Sequence, residues 1–146
     1  MLGALPTGLT LERVCSLVGV STRDEKVALG EAALKIDPTA SAMRVVNDYH
    51  GLSVTNLDDA VSPAALFRAT TEHLIEDSEA MVSLIEKFTG KANEVVIAGG
   101  WIKNPMIASA KNKQFGSYKV SDATEAGATG AAQFAGIAAG IFQLKI

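Results

Sequence analysis

The stretch EVVIAGGWIKNP, residues 94–105, joins a short apolar run to two glycines and an Asn-Pro pair. The β-branched residues 95–97 are bounded by Gly99 and Gly100, a pattern that predicts a buried strand ending in a sharp turn. Asn104 and the proline after it predict a helix N-cap with proline at the first helical position. A strand, a glycine turn and a helix start in this order leave bare backbone where a ligand can approach closely.

Upstream of this stretch, capping and periodicity predict two helices and two strands. The segment LTLERVCSLVG has apolar residues at helical spacing and ends at Gly19, a typical C-cap. A second helix follows Thr22, which stands three residues before Glu25 as in a capping box. AMRVVND and GLSVTN are predicted strands, and His50 lies in the turn between them.

The longest periodic segment is predicted to be one helix. It begins at Ser62 with a proline after it, and it stops before Gly90. Its apolar positions predict a packed amphipathic helix and are Phe67, Leu74, Met81, Ile85 and Phe88. His73 lies in its middle and has no second ligand candidate at a metal-motif spacing, which favours a surface or partly buried helical residue.

Downstream, NPMIASAKNKQFG predicts a helix with Gly116 beyond its end, and SYKV predicts a short strand. Asp122 stands three residues before Glu125, which predicts the cap of a final helix. Gly127 and Gly130 each lower the stability of that helix by about 1 kcal/mol relative to alanine. We therefore predict that they are present because another part of the protein or a ligand approaches the helix backbone closely. The order of strands and helices predicts an α/β fold in which crossover helices cover a sheet.

Composition excludes several classes of function. The 146 residues predict one domain, and 13 basic against 16 acidic residues, scattered along the chain, show no footprint for nucleic acid. The single cysteine, Cys15, excludes an internal disulfide and is predicted to be a buried, inert thiol. Residues 126–144 carry no charge but are too rich in Ala and Gly for a membrane span, so they predict a buried helix. No secretory signal opens the sequence, and the composition suits a reducing cytoplasm.

Two motifs together resemble the C-terminal domain of the FGGY carbohydrate kinases. In that family an adenosine-binding Gly-Gly turn is followed by a Glu-x-x-x-x-Gly-Ala-Ala helix. VVIAGGWIKNP and EAGATGAAQFAGIAAG resemble these elements in order and spacing, as do the long helix and the GLS segment at residues 51–53. The matching residues are Gly99, Gly100, Glu125, Gly130, Ala131 and Ala132.

The resemblance implies an actin-like ATPase architecture, in which two ribonuclease-H-like domains clasp ATP and Mg²⁺ and phosphorylate a sugar or polyol hydroxyl. Residues 1–146 would form part of the C-terminal domain, without the N-terminal domain that holds the catalytic aspartate and the first phosphate loop. The family's second phosphate-binding turn, a Gly-Thr-Ser type sequence near the start of the C-terminal domain, has no match before Gly8. Asp48, Asp58 and Asp59 stand in no catalytic motif. No catalytic residue and no metal ligand is therefore assigned.

By position, the resemblance places Gly99 and Gly100 beside the ribose and inner phosphates of ATP. Asn104 would face the adenine while it caps its helix, and Gly130 would let the last helix approach the nucleotide-binding layer. Trp101 replaces a residue that is usually small in the family. It would either shield the adenine or fill a gap in the core.

Two hypotheses of function follow from the sequence. The first is the adenosine-binding part of a carbohydrate kinase, with the missing N-terminal domain, ATP and a sugar or polyol as partners, and inactive alone. The second is a stand-alone, non-enzymatic nucleotide-binding or interaction module with the same fold. A domain without its partner exposes apolar surface and sheet edges, so the chain is also predicted to form homo-oligomers.

Overall fold

The computed structural model describes residues 7–38, 43–48, 51–57, 61–123 and 125–143. They form a small mixed α/β structure, which agrees with the predicted class. The elements in chain order are α1 (Thr7–Leu17), α2 (Arg23–Leu34), β1 (Arg44–Asp48), β2 (Gly51–Thr55), α3 (Pro63–Thr89), β3 (Val96–Ile97), a 3₁₀ turn (Gly100–Lys103), α4 (Pro105–Phe115), β4 (Lys119–Val120) and α5 (Ala126–Ala138).

The ends of the first two helices follow their predicted caps. The backbone N–H of Thr22 donates to Glu25 Oε2 at 2.8 Å, and the N–H of Glu25 donates to Thr22 Oγ1 at 3.3 Å, which completes the capping box. Gly19 ends α1 with φ +75°, and the next N–H, of Val20, donates to the carbonyl of Cys15 at 2.8 Å. This is a Schellman motif, in which glycine supplies the left-handed backbone.

The core lies between α1, α2, β1, the first turns of α3 and the start of α4. Phe67 and Cys15 are fully buried in it, and burial raises the pKa of the Cys15 thiol, as predicted for an inert cysteine. Arg68 fixes α3 against α2, because its Nη1 donates to the carbonyls of Ala33 and Ile36 at 3.3 and 2.9 Å. These contacts hold α2, one wall of the site described below.

The strands form two separate pairs. β1 and β2 are an antiparallel hairpin with Arg44 opposite Thr55, whereas β3 and β4 are parallel and connected through α4. In the part of the chain that the structure describes, the predicted single sheet is therefore divided in two. The turn that carries His50, and also Asp58 and Asp59, lie outside the described residues.

The predicted burial of β3 is wrong, and the predicted packing of α3 is confirmed for its first half but not for its end. Val96 on β3 is 59% exposed, and β4 is the one strand that pairs with β3 among the described residues. The second half of α3 exposes Ile85 and Phe88, the latter by 84%. The core elements cover the first half of α3, and α4 contacts it as far as Ser78 through Lys111 and Gln114, so the apolar positions near its end face solvent.

The final helix also differs from its prediction. It begins at Ala126 with Glu125 at the N-cap position and no side-chain cap, so the predicted cap at Asp122 is wrong. A Cβ on Gly127 or Gly130 would meet no atom within 4 Å, and most of α5 is exposed rather than buried. The predicted close approach therefore has no counterpart among the described residues. None of the helices in those residues is long and apolar enough to cross a membrane.

Candidate functional site

A cavity of about 370 Å³ opens between α2 and the 3₁₀ turn that follows the Gly-Gly pair. This volume lies within the range of small-molecule sites. Its lining residues are Glu12, Arg23, Lys26, Val27, Gly100, Trp101, Lys103 and Asn104. Gly100 and Asn104, two of the three residues predicted from the sequence, therefore meet at one cavity, and Gly99 adjoins them.

The Gly-Gly pair provides the turn that the sequence predicts. Gly99 has φ +113°, a conformation that side-chain-bearing residues rarely adopt, and it precedes the 3₁₀ turn. Gly100 lies in ordinary backbone and lines the cavity, and a Cβ built on it meets no atom within 4 Å. A larger side chain at Gly100 would therefore fit the fold while occupying space beside the cavity.

Asn104 is the N-cap of α4, as predicted, and is 4% exposed. Its Oδ1 accepts hydrogen bonds from the backbone N–H groups of Met106 at 3.0 Å and Ile107 at 3.4 Å. Its Nδ2 donates to the carbonyl of Lys26 at 2.7 Å, which ties α2 to α4. The amide of Asn104 has a second hydrogen that takes part in none of these bonds. The contact between Asn104 and adenine stays a prediction.

Trp101 forms the boundary between the core and the cavity. Its ring lies 6.1 Å from that of the buried Phe67, centroid to centroid, and it packs against the core. Lys26 Nζ lies 5.7 Å from the Trp101 centroid and forms a 2.7 Å ion pair with Glu12. The core-filling role is thus observed, and the same side chain also lines the cavity.

The cavity is predominantly cationic, a property that was not predicted from the sequence. Arg23, Lys26 and Lys103 line it, against the single carboxylate of Glu12. Arg23 and Lys26 are three residues apart on α2 and share one face of the helix, a signal that the sequence contained. Their position opposite Lys103 depends on the packing of α2 against α4, which no local pattern specifies.

ATP and Mg²⁺ differ in how well this cavity suits them. The open backbone at Gly100, the Trp101 ring and the cations fit a nucleotide in size and charge. The one lining carboxylate, Glu12, is paired with Lys26 and offers no metal site. Elsewhere in the described residues no group of three His, Cys, Asp or Glu could hold a metal ion, and His73 lies on the face of α3, 3.4 Å from Asp77.

The fold resembles that of solved xylulose kinases. The xylulose kinase from Rhodospirillum rubrum aligns with a TM-score of 0.61 and 13% identity, over 70% of this chain and 23% of that enzyme. The xylulose kinase from Bifidobacterium adolescentis gives a TM-score of 0.54 and 21% identity, over 68% of this chain and 21% of that enzyme. No protein-family model and no curated protein sequence matches the chain. The expected likeness in fold to carbohydrate kinases is confirmed, whereas the ribonuclease-H-like architecture stays a prediction. The chain spans less than a quarter of each enzyme.

Proposed function

We propose that this chain is the adenosine-binding C-terminal part of an ATP-dependent carbohydrate kinase. In the complete enzyme the γ-phosphate of ATP would pass to a sugar or polyol hydroxyl. Residues 1–146 would supply one wall of the nucleotide site, and an N-terminal domain would supply the acceptor pocket.

The cavity beside Gly100 is the observation that carries this proposal. It stands where a strand, a glycine turn and the start of α4 meet, the position at which the sequence resemblance puts adenosine. Backbone at Gly99 and Gly100 leaves room for the ribose, and Trp101 with Val27 gives an apolar surface for a base. The likeness in fold to xylulose kinases supports the same assignment.

The chain is proposed to be inactive alone because phosphoryl transfer depends on positioning and charge stabilisation at the γ-phosphate. A base for the acceptor hydroxyl and a Mg²⁺ site are both needed. Among the described residues, the cavity contains no aspartate, and its glutamate is already paired with a lysine. These roles therefore fall to the other domain.

A coupled ADP-release assay tests the proposal. The 146-residue chain and the longest product of its reading frame would be compared, each with ATP, Mg²⁺ and a panel of pentoses, hexoses and polyols. We expect sugar-dependent ADP release from the longer product and none from the chain. ATP binding without sugar-dependent turnover by either protein would favour the non-enzymatic nucleotide-binding module. Turnover by the chain alone would overturn the division of roles, and Asp48, Asp58 and Asp59 would be examined first.

A further inference from the structure

We infer that Arg23 and Lys103 form an anion-binding pair, which makes the cavity selective for a phosphorylated ligand over its uncharged nucleoside. The inference rests on the proposed function for the identity of the base, but not for the recognition of the anion.

Most cations of the described residues have no ion-pair partner, and Arg23 and Lys103 stand out among these because both line one cavity. Neither has a carboxylate within ion-pair distance among the described residues, whereas Arg68, Lys119 and Lys26 each have one. Both side chains are exposed at the cavity. In a protein whose formal net charge is −3, two free cations on opposite walls of one cavity concentrate positive potential there.

Two acidic residues, Asp24 and Glu25, lie in the first turn of α2 with Arg23, and Glu25 is already engaged. The Glu25 carboxylate turns back and accepts the backbone N–H groups of Ser21 at 3.0 Å and Thr22 at 2.8 Å. Glu25 therefore stabilises the helix end and leaves the Arg23 guanidinium without an ion-pair partner. The cap and the free cation follow from the same local structure.

Lys26 has a different role in the same cavity. Its ammonium is held by Glu12 at 2.7 Å and lies beside the Trp101 ring, so its charge is largely compensated. The uncompensated charge thus belongs to Arg23 on α2 and Lys103 on the 3₁₀ turn. The remaining wall, Trp101 and Val27, is apolar.

This arrangement matches a ligand with a flat apolar part and an anionic tail. A guanidinium offers a planar fork of donors to phosphate oxygens, and an ammonium adds a compact charge from the opposite side. The class of ligand is therefore a base or similar ring that carries one or more phosphates. An uncharged nucleoside would use the apolar wall and leave both cations unsatisfied.

Trp101 is the single tryptophan of the chain and reports on this cavity. We would titrate its fluorescence with ATP, adenosine and inorganic tripolyphosphate, and measure the same affinities by calorimetry. We expect ATP to bind about tenfold or more tightly than adenosine. Raising the salt concentration from about 20 to about 200 mM should weaken the binding of ATP, because salt screens exposed charges. The affinity for adenosine should not change.

The variants Arg23→Gln and Lys103→Gln should each lower the affinity for ATP and for tripolyphosphate by roughly three- to tenfold. Neither variant should change the affinity for adenosine. Arg13→Gln and Lys87→Gln are the matched controls, since both are exposed cations that do not line the cavity. Circular dichroism would verify that all four variants are folded. Unchanged affinity in the controls is part of the expected result.

The outcomes separate this inference from the proposed function. Equal affinity for ATP and adenosine, or an ATP affinity that neither variant changes, would overturn the anion pair and leave adenosine binding intact. Tripolyphosphate binding that depends on both cations, without adenosine binding, would support the pair and reject the adenosine site. No binding of any of the three probes would overturn both.

Discussion

Asn104 connects α4, α2 and the 3₁₀ turn through one buried carboxamide. It caps α4 with Oδ1 and holds the carbonyl of Lys26 with Nδ2. The helix cap is predictable, because an Asn-Pro pair is a local signal. The bond to Lys26 is not, because it joins residues 78 positions apart. The approach is close enough that the facing position on α2 is a glycine, Gly30.

Replacing Gly30 by Ala should destabilise the protein although alanine favours helix formation. The new Cβ would overlap the Asn104 carboxamide, because it would lie 2.7 Å from Nδ2. The carboxamide cannot move away easily, since its hydrogen bonds hold it in place. The overlap should outweigh the propensity gain of about 1 kcal/mol and lower the free energy of unfolding by about 1–3 kcal/mol in urea. Gly130→Ala, where the Cβ meets open space, is the control and should cause no loss. A stabilised Gly30→Ala variant would contradict this packing.

The capping box should make stability depend on acid pH. Backbone N–H groups of Thr22 and then Ser21 donate to Glu25 and lower its pKa from 4.5 to about 2. Since the folded pKa lies below the unfolded one, this contribution is complete above about pH 4.5 and is lost as pH falls towards 2. An NMR titration of the Glu25 carboxyl should have its midpoint near 2, and Glu25→Gln should reduce the acid loss of stability. Glu31→Gln, on the same helix but outside the cap, is the control. A midpoint near 4.5 would show that the cap is absent in solution.

At the scale of elements, α3 consists of two halves with different surroundings. Its first turns are buried against α1, α2 and β1, whereas its last turns expose Ile85 and Phe88. Periodicity predicted the whole helix and its apolar face correctly, but it carries no information about what covers that face. The same reason explains why β3 was predicted as buried. The caps of α2, α3 and α4 were predictable because they depend on neighbouring residues alone.

Two phenylalanines on α3 should therefore differ sharply in their contribution to stability. Phe67→Ala removes a fully buried ring and should cost about 3–5 kcal/mol, a large part of the stability of a small domain. Phe88→Ala removes a ring that is 84% exposed and should change the free energy of unfolding by less than about 0.5 kcal/mol. Urea unfolding of both variants measures the difference. Similar losses would mean that the end of α3 is packed in solution.

Across the whole molecule, a groove between the end of α3, residues 90–96 and the end of α4 places apolar side chains next to charged ones such as Glu86, Lys91 and Glu94. The groove has a volume of about 750 Å³ and contains Ile85, Val95, Val96 and Phe115. Exposed apolar side chains that are rimmed by polar residues are typical of interaction sites. The sequence predicted exposed apolar surface in general, but its location depended on which elements pack together.

The isolated chain is therefore expected to self-associate at micromolar concentration. Sedimentation should show species larger than 15.2 kDa, and the double variant Ile85→Glu, Val96→Lys should shift them to monomer. Leu17→Glu, at an exposed leucine that does not line this groove, is the control and should leave association unchanged. A wild-type chain that sediments only as monomer would count against the interaction surface.

The affinity of ATP for the Gly100→Val variant is the decisive measurement for a nucleotide site at the Gly-Gly turn. A Cβ at Gly100 meets no atom of the protein, so the variant should fold, while its branched side chain would fill the approach to the cavity. By calorimetry we expect wild type to bind ATP and Gly100→Val to bind it at least about tenfold more weakly. Gly127→Val, at a glycine outside the cavity, should bind as wild type does. Equal ATP affinity in wild type and Gly100→Val, or no binding by wild type, would contradict a nucleotide site at the Gly-Gly turn.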